Sequence, residues 1–169
     1  MKNIAVIVTN KFEDVEYTKP VDAFREKGHN IINVGLKAGE TVKGKKQNTP
    51  VKIDKAVADV EIADFDALLI PGGYSPDKLR AYKEPVEFVK NFVNSGKPVF
   101  IICHGAQLLI SADVLNDREI TGYKSIKQDI KNSGAKYLDQ EVVVDKNIVS
   151  SRNPGDIPAF IEESLNKLN

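Results

Sequence analysis

The chain has 169 residues, 41% of them hydrophobic and 28% charged, with Lys plus Arg and Asp plus Glu balanced at 24 each. That length suits one domain spanning residues 1–169, large enough to bury about 70% of its unfolded surface without a disulfide or metal staple. The even charge gives no electrostatic reason to expect nucleic acid or an anionic membrane surface as partner, and a single cysteine rules out an internal disulfide or multi-cysteine zinc site.

Taken in order, Met1 to Val6 leads into a short apolar run, Ile4–Val8, instead of a signal-peptide core, and no stretch holds the eighteen or more apolar residues of a membrane span. A cytoplasmic location is therefore expected, where a lone thiol stays reduced. Further apolar runs follow at Ile31–Val34, Ala67–Ile70 and Val99–Ile102, separated by amphipathic stretches at Val15–Lys27, Pro85–Asn94 and Ser125–Asn132. Continuously apolar strands alternating with helices predict an α/β fold: a doubly wound, flavodoxin-like three-layer sandwich with a mainly parallel sheet. Glu141–Val144 and Ile148–Ser150 flank Asp145-Lys146-Asn147 and predict an added β-hairpin, with a closing helix from about Asp156. The stretch from Gly35 to Val51 carries Lys37, Lys43, Lys45 and Lys46, and reads as a solvated hairpin too polar for core.

In open α/β sheets the ligand site lies beyond the carboxyl ends of the strands. Three loops qualify. After the fourth long apolar run comes Cys103-His104-Gly105, a tight strand-to-helix turn of the kind that holds a nucleophile out for attack, with the helix N-terminus favouring thiolate. After the third comes Pro71-Gly72-Gly73, whose backbone N–H groups can approach a reacting carbonyl and, with the N–H of His104, form an oxyanion hole. After the first come Glu13 and Glu16, three apart and on one helix face; a protonated Glu16 would donate to the sulfur and stabilise its anion. His104 is the candidate base, because His29 falls in a turn at the opposite end of the sheet. Asp77 is the carboxylate best placed to orient His104, within the chain or across a dimer interface. No Gly-x-Gly-x-x-Gly or phosphate loop occurs, so no cofactor and no metal are expected.

The segments Phe12-Glu13-Asp14-Val15-Glu16, Asp66 to Gly73, Ile102 to Gln107 and Val142 to Arg152, in that order and at that spacing, resemble the PfpI intracellular-protease family. That family belongs to the class I glutamine-amidotransferase-like superfamily, which also holds the Parkinson disease protein deglycase. The resemblance implies that Cys103 is the nucleophile, His104 its partner, Glu16 the buried glutamate touching the sulfur, Asp77 the third acid, and Tyr123 a pocket residue. It also implies a homodimer, with hexamers known among family members. Departures from the pattern are Asp77 where glutamate is common, Ala106 where proline is common, and Lys46-Gln47 where His-Gly is frequent.

Function is not read from fold alone, since the superfamily includes peptidases, deglycases, glyoxalases, chaperones and stress sensors. The expectation is a cysteine-dependent hydrolase acting on methylglyoxal or glyoxal adducts in a stress response. The alternatives are an intracellular cysteine peptidase acting on peptides, and a redox sensor or stress chaperone that uses oxidation of Cys103.

Overall fold

The computed structural model describes all 169 residues. In chain order the elements are β1 (Asn3–Ile7), α1 (Asp14–Glu26), β2 (Asn30–Gly35), β3 (Thr41–Lys43), β4 (Pro50–Lys52), β5 (Lys55–Ala56) and β6 (Ala67–Ile70). There follow α2 (Ser75–Leu79), α3 (Lys83–Asn94), β7 (Val99–Ile102), α4 (Ala106–Ser111), β8 (Glu119–Ile120), α5 (Lys127–Asn132), β9 (Lys136–Tyr137), β10 (Val143–Asp145), β11 (Ile148–Ser151) and α6 (Ile157–Leu168).

Seven strands form one sheet in the order β10-β11-β7-β6-β1-β2-β5, parallel throughout except for β10 against β11. The period-2 alternation of a strand sends neighbouring residues to opposite faces. Ala5, Ile7, Leu68, Ile70, Val99 and Ile101 therefore meet Phe88, Val89, Phe92, Leu108 and Leu109 of α3 and α4 on one side. Ile4, Val6, Leu69, Phe100 and Ile102 meet Tyr17, Val21 and Phe24 of α1 and Ile157 and Phe160 of α6 on the other. Both faces are covered, which is why the strands are apolar end to end. This is the doubly wound sandwich with an antiparallel hairpin; β11, however, runs parallel to β7 with Ser151 opposite Ile102, so the hairpin extends the main sheet.

One element departs from expectation. The Gly35–Val51 stretch does form a hairpin, β3 against β4, but it is no solvated flap. Val42 and Val51 are buried in the α1-side core, and the loop between the two strands folds over the start of α1. Two of its lysines, Lys45 and Lys46, reach Glu13 beside the β1 and β6 loops. The short parallel pair β8–β9 was not legible from pattern, being only two residues per strand.

Candidate active site

Strand order reverses at β1, since β2 lies on one side of it and β6 on the other. The loops after β1, β6 and β7 meet there, braced by an antiparallel bridge between Phe12 and Gly73. Cys103 leaves β7 with φ +60, a left-handed conformation that costs a side-chain-bearing residue roughly 1–2 kcal/mol. The turn aims the thiol toward the β6 loop, where Gly73 has φ +78 and a Cβ would collide with the backbone of Lys11, Phe12 and Glu13. At Gly72 a Cβ would collide with Glu16 and with Cys103, so absence of a side chain is what lets carboxyl and sulfur come together.

Cys103 is only 7% exposed, although the turn predicts an outward thiol. It is not sealed in apolar packing, however. Its Sγ lies 3.2 Å from His104 Nδ1, and the backbone N–H groups of His104 and Gly73 face it. Burial pushes the thiol up and charge on Glu16 pushes the same way, against those two N–H groups and the Lys45 ammonium. Desolvation thus works against the thiolate that the helix N-terminus favours.

Glu16 is fully buried. Its Oε1 accepts the Gly72 N–H at 2.9 Å, Oε2 is buried without a hydrogen-bond partner, and the carboxyl neighbours Cys103. Burial first, then the charge of Glu13, push this carboxyl up to about 8, so it holds a proton at neutral pH and loses its repulsion toward the sulfur. Since Gly72 donates to Glu16, Gly73 is the member of the glycine pair free to face an oxyanion.

His104 is held below its usual range by burial and by Lys45, with Asp77 pulling the other way. A neutral ring with Nδ1 accepting from the thiol carries its proton on Nε2, which faces Ser125 Oγ at 3.3 Å. Tyr123 stacks on the ring at 4.9 Å between centroids. Asp77 is exposed on α2 and makes no hydrogen bond to His104 within the chain, where Ser125 and Tyr123 are the side chains beside the ring. Glu13 faces away from the sulfur into Lys45 (2.9 Å) and Lys46 (3.1 Å). His29 accepts the Lys2 N–H at the amino edge of the sheet, far from these loops by topology.

A model of the DJ-1/PfpI family matches residues 2–167. The chain belongs to the DJ-1/PfpI family. It is 58% identical over 167 residues to "Putative cysteine protease YraA" of Bacillus subtilis (strain 168), covering 99% of this chain and 98% of that protein. It is 56% identical over 168 residues to "Protein/nucleic acid deglycase 2" of Escherichia coli (strain K12), with the same coverage, 99% and 98%. Among solved structures, a two-domain protein from Anabaena variabilis ATCC 29413 with DJ-1/ThiJ/PfpI-like and ferritin-like domains superposes at TM-score 0.97 and 36% identity, covering 99% of this chain and 48% of that one. This chain thus spans about half of that protein. Schizosaccharomyces pombe DJ-1, at TM-score 0.87 and 24% identity over 99% of this chain and 92% of that one, shares the fold.

Three residues of this DJ-1/PfpI site escaped sequence reading. Asp14, at the start of α1, is buried and accepts from the N–H groups of Lys46, Gln47 and Thr49 and from the Thr49 hydroxyl. It thereby clamps the hairpin loop that carries Lys45. Lys45 and Ser125 carried no local signal, since each reaches the site only through folding of a distant segment.

Proposed function

We propose that this protein is a cysteine-dependent hydrolase of the deglycase type, removing methylglyoxal or glyoxal adducts from amines or thiols. The observation that carries the reading is the Cys103 sulfur held between a neutral His104 imidazole 3.2 Å away, two backbone N–H groups and a protonated Glu16. The C–H proton beside the adduct's hydroxyl moves through an enediol to the neighbouring carbonyl carbon, giving a lactoyl thioester or amide; as Sγ bonds to that acyl carbon, the thiol proton passes to His104 Nδ1 and the carbonyl electron pair moves onto oxygen. That oxyanion faces the N–H groups of Gly73 and His104, a developing charge met by fixed donors. His104 then returns its proton to the departing amine or thiol, and one water cleaves the lactoyl thioester left on Cys103 to lactate and the free thiol. Overall, a methylglyoxal adduct plus one water yields the free amine or thiol and lactate, so atoms and electrons balance without an outside oxidant.

The 56%-identical relative named a deglycase supports this choice, and so does the shallow exposure of the sulfur, which suits small adducts better than a folded chain. The peptidase reading has its own support in the 58%-identical relative, and uses the same oxyanion geometry. A homodimer or hexamer belongs to the proposal, because Asp77 is exposed and free to act across an interface; sedimentation equilibrium tests it. The decisive experiment follows release of N-acetylcysteine from its methylglyoxal hemithioacetal alongside cleavage of unfolded casein. Adduct turnover abolished in Cys103→Ala, with casein intact, is the expected result. Equal adduct turnover by Cys103→Ala eliminates the proposal, and casein cleavage without adduct turnover transfers it to the peptidase.

A further inference from the structure

Next to the sulfur, the loops after β1 and β6 and the β3–β4 loop surround a cavity of about 590 Å3 lined by Lys11, Lys45, Lys46, Tyr74, Asp77 and Lys78. Its walls are braced against one another. The Lys11 N–H donates to the Lys43 carbonyl at 2.7 Å, the Lys45 N–H to the Phe12 carbonyl at 2.9 Å, and the Tyr74 N–H to the Lys11 carbonyl at 2.8 Å. Lys11 itself is held at φ +67, a conformation a lysine adopts only when its surroundings impose it. Two of its lining groups act on the reacting pair, the Lys45 ammonium on the Cys103 sulfur and on His104, and the Asp77 carboxylate on His104, so the cavity lies beside the reacting centre.

The charges on these walls are unbalanced in a chain whose totals are equal. Four ammonium groups meet the carboxylates of Asp77 and Glu13, and Lys45 and Lys46 share the single Glu13 carboxylate. An excess of two positive charges remains in a concave place, with Lys11 and Lys78 exposed and outside every ion pair. Lys45 also lies 5.2 Å over the Tyr74 ring, which fixes its ammonium at the inner wall.

We propose that this cavity receives an anionic group of the substrate, so that the adducts processed at Cys103 are those bearing a carboxylate or phosphate, which Lys11, Lys45 and Lys78 hold while the carbonyl reaches the sulfur. The inference rests on the hydrolase reading above and narrows its substrate class. A concave cationic site raises the local concentration of anions, and added salt weakens that attraction as the screening length shrinks.

The test compares methylglyoxal hemithioacetals of three matched thiols: neutral 3-mercaptopropanol, 3-mercaptopropionate and 3-mercaptopropyl phosphate. At low ionic strength kcat/KM is expected to be at least about tenfold higher for the anionic adducts, the larger value naming carboxylate or phosphate as the natural group, and the advantage should shrink in 0.5 M NaCl. Lys11→Asn, which tolerates the left-handed backbone, combined with Lys78→Gln should bring the anionic-to-neutral ratio within about twofold. Equal kcat/KM for all three adducts, or a preference unmoved by salt and by the double variant, overturns the inference and leaves the hydrolase standing. No turnover of any adduct overturns the hydrolase reading, and this inference with it.

Discussion

Asp14 and Glu16 lie two residues apart on the first turn of α1, both are buried, and they hold opposite protonation states at neutral pH. Asp14 points into the hairpin loop and Glu16 toward the sheet. Burial pushes both carboxyls up, but at Asp14 the Thr49 hydroxyl and the N–H groups of Lys46 and Thr49 outweigh it and bring the group down to about 2. Glu16 has a single N–H donor, from Gly72, and goes up to about 8. Depth and donors together decide whether such a carboxyl is a structural anion or a proton holder: Glu16 lies deep with one N–H donor, Asp14 lies shallower with several. One face of a helix turn thus clamps the loop bearing Lys45, while its neighbour supplies a neutral acid to the nucleophile.

The largest expected effect separates the two through pH. A carboxyl raised from 4.5 to about 8 keeps its full contribution below about pH 4.5 and loses it as pH climbs to 8, a swing on the order of 3–5 kcal/mol for Glu16. In urea unfolding, Glu16→Gln should therefore gain on the wild type progressively between pH 5 and 8. A difference constant across that window would mean that Glu16 is ionised throughout.

Next in size is removal of the clamp. Asp14→Ala leaves three N–H groups and a hydroxyl without their acceptor, at a cost of about 3 kcal/mol at pH 7. A loss below about 1 kcal/mol in the same unfolding measurement would show that the loop finds other partners. The acid limb is smaller. Asp14, lowered from 3.8 to about 2, contributes about 2 kcal/mol above pH 4 and surrenders it as pH falls through 2, so Asp14→Asn should flatten the wild-type decline there. Parallel declines in the two proteins would refute the assignment.

The smallest effect reads the sulfur directly. In Glu16→Gln the side-chain amide can accept from Gly72 and donate to Cys103, whereas leucine can do neither. Thiol titration by iodoacetamide reactivity should place Cys103 lower in Glu16→Gln than in Glu16→Leu, by about one pH unit. Identical titrations would remove Glu16 from the support of the thiolate.

What could be read without coordinates was whatever rests on local pattern. Four continuously apolar runs define buried parallel strands because only a sheet covered on both faces hides every side chain, and the abrupt change at Ile102-Cys103-His104 marks the turn. Tertiary structure decided everything that depends on what a side chain meets across the fold. It buried Cys103 and so raised its thiol; it gave the Gly72 N–H to Glu16, leaving Gly73 to face the sulfur; it left Asp77 without a hydrogen bond to His104 and put Ser125 and Tyr123 beside the ring. It also turned a lysine-rich stretch into a wall of the site, because Asp14 holds that loop by four hydrogen bonds from residues more than thirty positions away. Protonation and contact depend on desolvation and on donors brought from distant segments, and those are set only once the chain has closed on itself.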